Sequence, residues 1–111
     1  MSDEKDLTLK ETFDLAIQNH QEGKTDIAQN LYNKILEIDP NHSPTLNNIA
    51  IIFTNLKDFK KAKECYEKAI TINPNYADAY NNLGVTSKEL GEIEKAKECY
   101  EKAIELNPNY A

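Results

Sequence analysis

Three rows of side chains that could hold or bridge by hydrogen bonds and apolar contact recur every 34 residues in this 111-residue chain. The first row is Asp14, Asn48 and Asn82. The second is Ile17, Ile51 and Val85, and the third is Gln21, Asn55 and Glu89. A carboxamide carries N–H donors and a carbonyl acceptor. It can bond a peptide backbone in both senses without reading its sequence. The aliphatic row would receive apolar side chains. Asp14, Ile17 and Gln21 are three and four residues apart, as are their equivalents, so each set shares one face of a helix. The amides could instead cap or bridge neighbouring helices, with the aliphatics partly covered by adjacent units. The residues alone leave both uses open.

Covalent and metal chemistry finds no support. His20 and His42 are isolated, have no metal-ligand spacing and read as surface residues. Cys65 and Cys99 lie 34 apart, without a CxxC or Cys/His cluster. Equivalent helices of a stack sit about 10 Å apart, beyond the ~7 Å Cα limit for a disulfide. The pair therefore reads as reduced thiols copied with the repeat. No nucleophile stands with a base and no glycine-rich loop is present, so no enzyme, cofactor or metal is expected. Nineteen acidic residues against thirteen basic give a net charge of −6. That balance disfavours nucleic acid, whose phosphates need Lys and Arg. No apolar run approaches the ~18 residues of a membrane span. The start, MSDEKDLT, lacks the regions of a signal peptide, which predicts a cytoplasmic protein.

The elements that carry these rows follow from the same period. Pro40, Pro74 and Pro108 are 34 apart, and KAKECYEKAI occurs twice, at 61–70 and 95–104. A fixed period means stacked copies of one small unit. The phase gives a lead-in at 1–8 and units at 9–42, 43–76 and 77–110, each of two helices. In the second unit Ser43 is the expected N-cap and Pro44 the first helical residue. Leu46, Ile49, Ala50 and Phe53 follow at helical spacing to a stop near Leu56. Asp58 caps the next helix, with Ala62, Tyr66, Ala69 and Ile70 as its stripe. Pro74 then blocks continuation and pushes Asn73 out of the helical region. The third unit repeats this with Tyr80, Leu83 and Gly84, a turn at Gly91, then Ala96, Tyr100 and Ala103. The first opens on a capping box, Thr8-x-x-Glu11. It turns at Gly23 and runs through Ala28, Tyr32 and Ile35. Small residues at Ala16, Ala50 and Gly84, and at Ala28, Ala62 and Ala96, let paired helices approach closely. Tyr32, Tyr66 and Tyr100 fill the space that remains.

These residues, in phase three times, resemble the tetratricopeptide repeat family over 9–110. The match is closest in units two and three, which depart only at Ser87. Unit one is weaker, with Thr12, Asn19 and Ile35 at unusual places, as terminal units often are. The resemblance implies an all-α, right-handed α-solenoid of three helix–turn–helix units, six helices in all. Its first helices would line a concave groove that binds protein, and the resemblance places the three rows, Asp14 to Glu89, in that groove. Similar groove asparagines hold ligand backbone in relatives, including the repeat region of protein O-GlcNAc transferases; bacterial repeat proteins are similar too. Chaperone-binding members hold a terminal carboxylate with a basic clamp. Those places here are Phe13, Ile17, Asn48, Asp78 and Asn82, and only Asn48 agrees. Capturing a carboxylate takes positive charge, so chaperone-tail binding is disfavoured.

The expected function is a non-catalytic scaffold or interaction module that binds an extended peptide or partner segment. The alternative is a substrate-recruiting or oligomerisation arm of a longer enzyme such as a glycosyltransferase. Ala111 falls at the first place of a further unit, and the sequence holds no polar C-terminal capping helix. It therefore reads as an array truncated after 111, with self-association through the uncapped third unit.

Overall fold

The computed structural model describes residues 7–109. Most of the lead-in lies outside the described residues, as do Tyr110 and Ala111. The described residues form six helices and no strand: α1 (Leu9–Gln21), α2 (Thr25–Ile38), α3 (Ser43–Asn55), α4 (Phe59–Ile72), α5 (Ala77–Glu89) and α6 (Ile93–Leu106). They divide into two compact units, one up to Pro40 and one from Asn41.

The first unit is the α1–α2 hairpin. Its entry is the expected capping box: the Glu11 N–H donates to Thr8 Oγ1 at 3.0 Å, and the Thr8 N–H donates to Glu11 Oε1 at 2.9 Å. The hairpin turns at Gly23, whose φ of 81° suits a residue without Cβ. Ala16 and Ala28 are fully buried, and Tyr32 and Ile35 fill the remaining space.

The second unit holds two hairpins, α3–α4 and α5–α6, with α4 packed against α5. One expected boundary is corrected. Ser43 is not the N-cap of α3 but its first residue, and it is buried. The cap position falls to His42, whose carbonyl accepts from the Thr45 and Leu46 N–H groups at 3.1 and 3.2 Å. Its ring Nδ1 lies 2.7 Å from Thr45 Oγ1. A side-chain to side-chain bond thus stands where the serine cap was expected, and the His42 side chain does not cap the N–H groups of α3. Asp58 caps α4 as read, accepting from the Lys61 N–H at 3.3 Å. Beyond α4, Asn73 Oδ1 accepts from the Asn75 N–H at 3.2 Å, and Asn107 serves Asn109 likewise at 3.1 Å. These side chains close the turns around Pro74 and Pro108.

The core of this unit is Ala50, Ala62, Tyr66, Leu83 and Cys99. Ile51, Phe53, Cys65 and Ile70 pack on it, half-buried. Gly84 is the tightest place. A Cβ there would lie 2.7 and 2.8 Å from Cε1 and Cδ1 of Tyr100, so even a methyl would crowd the ring.

Candidate functional site

In the second unit α3 and α5 touch, which brings two of the three expected sets of ligand-holding residues side by side. Both asparagines of the first row are half-buried. They differ in what they already hold. Asn82 Nδ2 donates to Asn47 Oδ1 at 3.3 Å across the two helices. Among the described residues no side chain bonds the Asn48 amide. Asn82 is therefore partly committed to bridging, and Asn48 keeps its full capacity. In the second row Ile51 is half-buried against the core, whereas Val85 is 42% exposed. Asn55 and Glu89 are exposed at the far ends of their helices. Val85 is thus the more open apolar contact, and Ile51 is largely a packing residue.

Sequence reasoning did not single out Asn47. It is only 5% exposed, accepts from Asn82, and its side chain also bonds that of Tyr76. Burial is the chief cause that raises the Tyr76 phenol above its ordinary range, with the Asp78 carboxylate adding to it. The signal was present as a doublet: Asn47-Asn48 and Asn81-Asn82 stand in the same phase. A buried amide with two partners fixes the spacing of α3 and α5, and so of Asn48 and Asn82.

The first unit carries the remaining set on α1. Asp14 is exposed and paired with Lys10 Nζ at 2.9 Å, so its charge is partly answered. Ile17 is half-buried and Gln21 exposed. Phe13 is half-buried, its ring centroid 6.3 Å from that of Tyr32.

Both histidines were expected at the surface, and both are instead half-buried with side-chain partners. His20 lies edge-on to Tyr32, its Nδ1 3.2 Å from the hydroxyl, and burial lowers its pKa. His42 meets Thr45 as described. His20 sits beside a turn, where Tyr32 of the neighbouring helix covers it. The thiols of Cys65 and Cys99 are free, and burial raises both above the ordinary thiol range, which suppresses the nucleophilic thiolate. Among the described residues no three His, Cys, Asp or Glu side chains gather as a metal site. No described helix is long and apolar enough to cross a membrane.

The tetratricopeptide repeat model matches residues 43–76 and 77–110, and a second model of the same description matches 19–42. The chain belongs to the tetratricopeptide repeat family. Its fold is that of tetratricopeptide repeat solenoids. The first repeat domain of Spaghetti (RPAP3), solved with the HSP90 peptide SRMEEVD, superposes with a TM-score of 0.85 at 30% identity. That match covers 91% of this chain and 80% of the other. MamA superposes with a TM-score of 0.82 at 20% identity over 92% of this chain and 60% of its own, a likeness of fold alone. The uncharacterized protein ycf37 of Pyropia yezoensis is 46% identical over 41 residues, which is 37% of this chain and 23% of that one. The tetratricopeptide repeat chain thus spans about a quarter of the length of ycf37 and under two thirds of MamA.

Proposed function

We propose that this chain is a non-catalytic interaction module, and that the α3–α5 surface of its second unit takes an extended peptide segment of a partner protein. The observation that carries the reading is the Asn48 amide: half-buried, held on a rigid helix, and unbonded among the described residues. It offers a donor and an acceptor to a peptide backbone. The spare acceptor of Asn82 continues the row, and Val85 meets an apolar side chain. Asn55 and Glu89 border the segment. Asp14, Ile17 and Gln21 form the corresponding face of the first unit. The RPAP3 domain supports a peptide ligand in kind, since it was solved with one bound.

That ligand's chemistry does not transfer. SRMEEVD is acidic, and a terminal carboxylate needs positive charge. Of the five places that resemble the clamp, none is basic, and Asp78 places an exposed carboxylate in the first turn of α5. The preferred partner segment is neutral or basic, in keeping with the net charge of −6. The same reading covers a cytoplasmic protein with no nucleic-acid or membrane partner, and contact between like chains through the third repeat.

The test is selection from a peptide library with the wild-type chain, followed by titration of the selected peptide. Asn48→Ala is expected to weaken it at least tenfold, and Asn48→Ala/Asn82→Ala further, with unchanged circular dichroism. SRMEEVD serves as the negative control. Equal binding by wild type and Asn48→Ala, or tight binding of SRMEEVD, rejects the reading.

A further inference from the structure

The face of α6 beyond its contact with α5 forms, with Lys88 at the end of α5, an open apolar depression of about 300 Å³, lined otherwise by Ile93, Ala96, Lys97, Tyr100, Glu101 and Ile104. Ile93 is 58% and Ile104 47% exposed. The molecule holds a covered copy of this face. On α4 the equivalent residues are Phe59, Lys63, Tyr66, Glu67 and Ile70, and α5 packs on that helix. There Lys63 Nζ meets Glu92 at 2.9 Å, and Glu67 meets Lys95 Nζ at 3.5 Å. Among the described residues, Lys97 and Glu101 have no such partners.

We propose that a second copy of the chain covers this face, with two α6 helices packed antiparallel about a twofold axis. The stripe Ile93, Lys97, Tyr100, Ile104 is spaced four, three, four, the seam of a coiled coil. One antiparallel register sets Ile93 of each copy opposite Ile104 of the other. The same register sets Lys97 over the Tyr100 ring, where an aromatic face attracts an ammonium. It also brings Lys97 beside Glu101 of the second copy. Symmetry makes each contact twice, so the two charges left unpaired become each other's partners.

A head-to-tail stack fits worse. It would lay α1 of a second copy on α6 as α5 lies on α4. Where α5 buries Ala79 and Thr86 completely, α1 carries Glu11 and Gln18. Seating Glu11 in the place of Ala79 would bury a carboxylate whose bond from the Thr8 N–H brings it no counter-charge. A contact through one helix face buries less than the ~1,200 Å² at which stable complexes begin, so the dimer is weak, with a Kd on the order of tens of micromolar.

Sedimentation equilibrium from about 5 to 500 µM tests this. The wild-type chain is expected to pass from monomer to dimer and no further. Ile104→Glu, at an exposed position, is expected to raise Kd at least tenfold with an unchanged melting temperature. Lys97→Glu alone and Glu101→Lys alone are each expected to weaken self-association. Mixed together, those two variants pair opposite charges throughout and are expected to regain dimerisation. A monomer at every concentration overturns the proposal. So does association that survives Ile104→Glu, or a mixture that fails to dimerise. Association lost on Glu11→Lys but kept in Ile104→Glu would assign the contact head to tail and overturn it equally.

Discussion

Residues 61–70 of α4 and 95–104 of α6 are the same ten amino acids in the same kind of helix, and they meet different surroundings. On the side facing the partner helix of each hairpin they agree: Ala62 and Ala69 are 0% exposed, Ala96 and Ala103 3% and 1%. Towards the outer face, including the outward edge of the tyrosine that also touches the partner helix, they diverge. Tyr66 is 2% exposed, whereas Tyr100 is half-buried. Ile70 packs on the core, whereas Ile104 is 47% exposed. Lys63 is paired and Lys97 is not. The difference traces to α5, which lies on α4. The repeat sequence specifies a helix and a hairpin contact, and the next repeat decides how much of the outer face contributes to stability.

The sharpest way to break this comparison is to remove both tyrosines in turn. Tyr66→Ala empties a closed site and is expected to cost about 3–5 kcal/mol. Tyr100→Ala opens a site that solvent already reaches and should cost less than half of that. Urea unfolding of both variants decides; equal losses would mean that α5 adds nothing to the outer face. Enlarging the small residues comes next. Ala62→Leu has no room and is expected to cost about 1–3 kcal/mol. Ala96→Leu borders the open depression, so its added carbons can turn outward, and its melting temperature should fall less.

A gentler probe is pH. Burial pushes the Tyr66 phenol up to about 12. The folded state therefore holds its proton where an unfolded tyrosine, near 10, has lost it. Stability from this group is complete below pH 10 and drains away as pH rises towards 12. Tyr66→Phe should flatten that part of the pH–stability curve. An unchanged slope would show the ring to be more hydrated than its 2% exposure implies.

Much of this contrast was legible before the fold was known, because phase alone assigns small residues to helix contacts and glycines to turns. What escaped was whatever one repeat does differently from its copies. Lys57 occupies the turn place that Gly23 and Gly91 hold in the other hairpins, and takes φ 64°, a conformation costing an L-residue about 1–2 kcal/mol. No local pattern announces this; the neighbouring helices impose it. Ser87, in the place of Phe53, is fully buried with no partner for Oγ among the described residues. The sequence marked it as a departure without saying that its hydroxyl would go unbonded. Of the candidate site, the rows on α3 and α5 were legible, since helical spacing places them. The Asn47–Asn82 bridge was not, because it depends on the distance between two helices.

The smallest expected effect isolates charge from packing. Lys63 donates to both oxygens of Glu92, at 2.9 and 3.1 Å, and this bond holds its ammonium pKa above the ordinary lysine value. Both partners remain partly exposed, so water and salt screen them, and such pairs contribute about 0.2–1 kcal/mol. Lys63→Ala should therefore lower stability by a few tenths of a kcal/mol more than Lys97→Ala in dilute protein. At 1 M salt, where the screening length falls to about 3 Å, the gap should close. A gap that persists in salt would assign the difference to the buried stem of Lys63, and packing rather than pairing would then distinguish the two faces.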